Sequence, residues 1–277
     1  MTRAHRLAAL APLLGVALAA SPAVAQDRSG YAEVRLYDYT EGRGSRWEGV
    51  AGGEVDLGKA TLAVQGRVGE RDFGDGNRVS GQGVRGDLFV QWNDWLTTRA
   101  IAEFSSDDPT FLNRRLGGEV RVKPIDRVVI AALLSQDDYF RDGGFIGGEI
   151  VDLGTLGVTS YGLSGTYFFD GASVRYQYLR SDIDDFGETD SHALSLLLRD
   201  SNGSGRTVLS AATGTALNED DIRLLLTETR QTILAVRREQ PLLPDLALIL
   251  GIDYRSYDSD LGGFDRLGGT LGVRAGF

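Results

Sequence analysis

The residues of this chain that could do chemistry are mostly guanidinium and carboxylate. Arg35, Arg67, Arg85, Arg99, Arg115, Arg121, Arg175, Arg199, Arg255 and Arg274 fall on the charged phase of segments that alternate apolar and polar residues. Glu33, Glu48, Glu54, Asp87, Glu103, Glu119 and Asp253 share that phase as partial partners. Arginine's rigid fork of donors suits carboxylates and phosphates, so a surface on which these residues gather would favour anionic solutes or polymers. The same charges could instead pair across neighbouring segments and fill the space between them. Either outcome needs a scaffold that turns every second side chain of many segments toward one interior.

Other reactive groupings are sparse. His192 stands beside Ser191 and near Asp190, the residue types of a nucleophilic triad. Adjacent residues of a strand point to opposite faces, so Ser191 and His192 cannot meet unless the chain bends there. No catalytic residue is therefore assigned, and the chain is expected not to be an enzyme. Gly81-Gln82-Gly83-Val84-Arg85-Gly86 has the spacing of a dinucleotide-binding fingerprint, but a segment of period two follows it where that chemistry needs a helix. With no cysteine, disulfides, thiolate metal sites and a cysteine nucleophile are excluded. Acidic groups gather at Asp107 and Asp108, Asp137 and Asp138, Asp182 to Glu188, Glu219 to Asp221, and Asp258 and Asp260. They read as solvated loops that could bridge divalent ions in a lipopolysaccharide leaflet, without the ordered spacing of a calcium loop. No metal site or cofactor is assigned.

The segments themselves show what scaffold this is. In 31–37, Ala32, Val34 and Leu36 alternate with Glu33 and Arg35; in 84–92, Val84, Leu88, Val90 and Trp92 oppose Arg85, Asp87 and Gln91. A two-residue turn at Asn93-Asp94 reverses the chain, and Trp92 and Trp95 flank it where an interfacial aromatic belt would place them. Comparable segments are expected at 47–57, 60–68, 96–104, 115–123, 128–138, 157–169, 172–181, 192–199, 206–216, 229–240, 246–257 and 266–277. The total is about fourteen, the even number that bacterial outer-membrane barrels require. Twelve is the alternative, because 128–134 is apolar on both faces. Short connections alternate with long ones, expected at 72–81, 105–114, 139–156, 182–191 and 217–228, and residues 218–226 resemble a capped helical turn. A β-sandwich has no reason to keep that parity, whereas short periplasmic turns and long external loops produce it.

The two ends of the sequence agree with this reading. Arg3, His5 and Arg6 precede an apolar run over 7–20, and Ala23-Val24-Ala25 offers the small residues of a cleavage site. Residues 1–25 are expected to be a secretory signal peptide and 26–277 one barrel domain. The last segment, ending on Phe277, has the aromatic-terminated alternation of a closing strand that barrel-assembly machinery would engage. Beyond the signal no apolar run approaches the eighteen or so residues of a transmembrane helix, but a spanning strand needs only about ten.

Several strings carry a family resemblance: Gly81-Gln82-Gly83, then Gln91-Trp92-Asn93-Asp94-Trp95-Leu96-Thr97-Thr98-Arg99, then Asp108-Pro109-Thr110-Phe111. Weaker echoes are Val158-Thr159-Ser160-Tyr161, Gly203-Ser204-Gly205, Thr213-Gly214-Thr215, Glu228-Thr229-Arg230 and Gln240-Pro241-Leu242. Through them the chain resembles the YaiO family of outer-membrane β-barrels over most of its length. The resemblance implies a Gram-negative outer-membrane location and a loose association with surface polysaccharide systems, and it brings no established catalytic site.

The reading is thus an all-β, transmembrane, antiparallel up-and-down barrel behind a signal peptide. Its leading function is a passive channel or export accessory for anionic solutes or surface polysaccharide. Two alternatives are a plugged structural barrel with ion-bridging acidic loops and an outer-membrane lipid-modifying enzyme dependent on His192. Expected partners are outer-membrane lipid and lipopolysaccharide, the barrel-assembly machinery through Phe277, and an anionic polysaccharide; no nucleic acid is expected.

Overall fold

A computed structural model describes residues 28–106, 113–146, 149–184, 187–201, 205–214, 230–258 and 263–276. The expected signal peptide, the turn expected within 218–226, Asp107 to Phe111 and the terminal Phe277 fall outside these residues. The strands are β1 (Arg28–Tyr39), β2 (Ser45–Asp56), β3 (Ala60–Asp72), β4 (Arg78–Gln91), β5 (Leu96–Ser105), β6 (Arg114–Ile125) and β7 (Val128–Ile146). They continue as β8 (Glu149–Phe169), β9 (Ala172–Ile183), β10 (Gly187–Arg199), β11 (Arg206–Gly214), β12 (Arg230–Leu243), β13 (Leu246–Asp258) and β14 (Phe264–Gly276). Each pairs antiparallel with its sequence neighbours, and β1 pairs with β14, for example Glu33 opposite Gly272 and Arg35 opposite Thr270, so the sheet closes. The fourteen-strand reading holds and the twelve-strand alternative falls: β7 pairs with both β6 and β8, and Val129, Ala131 and Leu133 supply its inward face.

Closure follows from the alternation. Residues opposite each other in an antiparallel pair share a face, so one charged phase carried from strand to strand becomes one charged interior. The other phase is the exterior: Leu36, Val64, Leu88, Val120, Leu134, Leu163, Leu194, Leu234, Ile252 and Leu271 are all exposed on it. An apolar surface of that extent far exceeds what a protein in water leaves uncovered, and a closed barrel leaves no sheet edge unpaired in lipid. No helix among the described residues is long and apolar enough to cross a membrane; the apolar outer face is carried by the strands. Trp92 and Trp95 are both exposed at the short-turn end. Trp92 continues the outward phase of β4, where an interfacial belt would place it, whereas Trp95 continues the inward phase of β5 and lines a recess of the mouth, against the expectation that both flank the turn in that belt.

Three expected long loops prove to be largely strand. β4 begins at Arg78, β10 begins at Gly187, and β7 and β8 run on as a hairpin to Ile146 and Glu149. Asp137, Asp138 and Asp182, expected in solvated loops, lie in β7 and β9, where Asp137 pairs with Arg115 and Asp138 with Arg114. Above the lipid the outward residues no longer need to be apolar, so the alternation fades while the hydrogen-bond ladder continues. The turn after β4 spans 92–95 and not two residues: the Asn93 side-chain oxygen accepts from the backbone N–H groups of Trp95 (3.0 Å) and Leu96 (2.9 Å). The glycine fingerprint lies within β4. A side chain at Gly83 would come within 2.6 Å of the Ser105 hydroxyl and 3.0 Å of Arg67 Nε, so close packing of the wall accounts for that glycine.

Candidate functional site: the arginine-lined lumen

Arg35, Arg67, Arg85, Arg99, Glu103, Arg115, Glu119, Arg121, Arg175, Arg199, Arg255 and Arg274 all occupy inward positions of the register. They are tied into local networks. On β1 and β2, Glu33 accepts from Arg35 (2.9 Å) and from Arg237 of β12 (2.8 Å), while Arg35 stands 3.7 Å from Glu48. Arg237 reaches over two intervening strands because β14 is small beneath it: a side chain at Gly272 would lie 2.5 Å from Glu33 Cβ. On β3 to β5, Glu103 sits between Arg67 and Arg85, and Asp87 accepts from Arg85 and from Arg99, each through Nε at 2.8 Å. On β6 to β9, Glu119 holds Arg121 and lies 3.9 Å from Arg175, and Arg115 grips Asp137 with two hydrogen bonds of 2.9 and 2.7 Å. Arg255 lies 3.8 Å from Asp253, and Arg274 lies 3.9 Å from Glu239. Arg199 is exposed at the short-turn mouth, opposite Arg206 in register.

The networks are layered. Side-chain exposure is 42 % for Arg237 against 1 % for Glu33, 32 % for Arg121 against 4 % for Glu119, and 25 % for Arg85 against 1 % for Glu103. The cause is reach: a carboxylate on a short stem stays near the wall, and the longer arginine folds over it and carries its guanidinium toward the axis. Although the whole chain is acidic, with 39 Asp and Glu against 29 Lys and Arg, much of the lumen surface is guanidinium. In a bore flanked by low-dielectric walls such a surface lowers the energy of anions and raises that of cations.

The sequence reading missed a second set of inward residues. Tyr37, Tyr39, Tyr257 and Phe264 form a buried cluster at the long-loop end, with Tyr257 stacked on Phe264 at 4.4 Å between ring centres. Arginines lie across it: Arg71 over Tyr39 (3.4 Å), Arg266 over Tyr37 (4.2 Å) and Arg43 over Phe264 (4.2 Å). Arg266 also donates to Asp253 at 2.6 Å. Arg71 could have been found by extending the phase of Arg67, and Arg46 by extending that of Glu48. Arg237 could not, since beside Arg238 either residue of the doublet could face inward. Arg238 in fact faces outward and is satisfied at the short-turn rim by Asp200 (2.7 Å) and Thr207 (3.1 Å).

His192 is outward. Its Nδ1 lies 2.8 Å from the Tyr176 hydroxyl, and Asp190 accepts from Tyr178 at 2.6 Å. Ser191 is inward and buried, so the wall separates it from the imidazole. Among the described residues no group of His, Asp and Glu is arranged to hold a metal ion.

No protein-family model matches the chain. Solved structures do resemble it. The CymD monoaromatic hydrocarbon channel aligns with a TM-score of 0.60 at 10 % identity, covering 92 % of this chain and 89 % of that one. The toluene transporter TodX of P. putida aligns at 0.53 and 9 % identity, covering 93 % and 91 %. OccAB1 of Acinetobacter baumannii aligns at 0.51 and 10 %, covering 91 % and 96 %. The shared feature is the fold, which is that of the Gram-negative outer-membrane barrels.

Proposed function

We propose that this protein is a passive outer-membrane channel that favours anions. The observation carrying the proposal is the layering of charge in the lumen, where guanidiniums cover the carboxylates that pair with them. Among the described residues every element is a stave of the wall, which suits a conduit. The neighbours described as a hydrocarbon channel and a toluene transporter lend general support to transport through a barrel, with no bearing on which solute passes. The resemblance of Gln91 to Arg99 to the YaiO family points the same reading toward surface polysaccharide as the anion. In this reading the barrel is not an enzyme, and the separation of His192 from Ser191 supports that.

Purified protein inserted in planar bilayers across a potassium chloride gradient tests the proposal. A reversal potential of the sign set by chloride is expected. A cation-selective channel, or no conductance at all, would overturn it.

A further inference from the structure

Resting on the channel reading, we propose that the short-turn mouth carries a binding subsite for a singly charged sugar acid, a pyranose ring bearing one carboxylate. A recess of about 290 Å³ opens there between the turn after β4 and the ends of β6 to β9. Its size is at the lower end of small-ligand pockets, which begin near ~300 Å³, and so suits one ring and not a long polymer segment.

The charge in the recess selects the ligand. Arg121 is held by Glu119, and Lys123 lies 2.9 Å from Asp126, so each of these cations has a close carboxylate partner. Arg175 is different. Its nearest carboxylate oxygen, on Glu119, is 3.9 Å away, beyond hydrogen-bond reach, and its guanidinium donates to the Ser164 hydroxyl at 3.2 Å. It is 39 % exposed on the recess wall. One guanidinium short of a counter-ion matches one carboxylate, and the planar fork can take both carboxylate oxygens. Asp94 lines the same recess and makes no hydrogen bond or ion pair among the described residues. A phosphate dianion would be repelled by Asp94, whereas the hydroxyls of a sugar ring can donate to it. Thr97 and Ser164 add hydroxyl partners for the ring, and Phe168, inward at the end of β8, offers an aromatic face to its C–H edges.

The test is calorimetric titration of the detergent-solubilised full chain with D-glucuronate, D-glucose and inorganic phosphate, on the parent protein and on Arg175→Gln and Arg175→Lys. Binding of glucuronate at least about tenfold tighter than glucose or phosphate is expected, since one charge-assisted contact accounts for that ratio. Arg175→Gln should lose about tenfold, and Arg175→Lys should recover part of it by restoring charge without the fork. Heat-dependent gel mobility identifies variants that have folded. Equal binding of phosphate and glucuronate, no binding of glucuronate, or undiminished binding by folded Arg175→Gln would overturn the subsite. Titration needs no conductance, so the subsite can fail while the gradient experiment still gives an anion channel, and the reverse also holds.

Discussion

The two mouths of this barrel use the same residue type for opposite ends. At the long-loop mouth Arg71 and Arg266 are buried flat against Tyr39 and Tyr37, and the cluster closes with Tyr257 on Phe264. At the short-turn mouth Arg175 and Arg199 stand at the lumen surface with no aromatic ring contact of their own among the described residues. An arginine buried against a ring contributes packing, because its guanidinium does not reach the lumen surface. One hydrogen-bonded to a serine hydroxyl, with its carboxylate 3.9 Å away, leaves more of its field to the solute. The environment supplied by neighbouring strands, and not the residue type, separates a brace from a binding group.

The comparison can be broken most forcefully at the packed mouth. Tyr257→Ala removes a fully buried ring stacked on Phe264 and should destabilise the barrel by about 3–5 kcal/mol, read as a lowered midpoint of urea unfolding in detergent or liposomes. A midpoint equal to the parent's would mean that the cluster does not brace the wall.

Glu33→Gln should cost less, about 1–2 kcal/mol, because Arg35 keeps Glu48 and Arg237, itself 42 % exposed, loses its anion where solvent already screens the charge. The double variant Glu33→Gln with Arg237→Gln should recover part of that loss. A double variant less stable than either single one would argue against the pairing across β13 and β14.

Arg175→Gln sharpens the contrast from the other side. Its stability should stay within about 0.5 kcal/mol of the parent because it breaks no close ion pair. The reversal potential in a salt gradient should nevertheless move toward zero. A large stability loss with unchanged selectivity would assign Arg175 to the braces.

The smallest effect belongs to Asp126, on the turn between β6 and β7. A hydrogen bond from Lys123, and then the attraction of its charge, holds this carboxyl below the ordinary range. A depressed folded-state pKa contributes stability above the unfolded value and loses it as pH falls through the folded one. Asp126→Asn should therefore match the parent in strong acid and be marginally less stable near neutrality. A difference that grew toward acid would have the wrong sign.

Much of the fold was legible because a membrane barrel repeats one simple instruction. Val34 against Arg35, Leu88 against Asp87 and Leu271 against Arg274 each state which face meets lipid, and every arginine assigned to the lumen by this rule lies on an inward position. The rule failed where lipid ends. Beyond that boundary the outer phase is free to be polar, so the upper reaches of β4, β7, β8 and β10 looked like loops.

The sequence alone determined the closed apolar-outside wall, the strand number to within a hairpin, and the pool of charges available to the interior, because a period of two is a local property. Only the tertiary structure decided which charges meet. Arg237 finds Glu33 from three strands away, Tyr257 meets Phe264 where β13 joins β14, and Arg175 comes to rest beyond hydrogen-bond reach of Glu119. Those distances depend on register, barrel curvature and the length of each side chain together. The layering of guanidinium over carboxylate exists only once the wall has closed and the longer side chain must fold over the shorter.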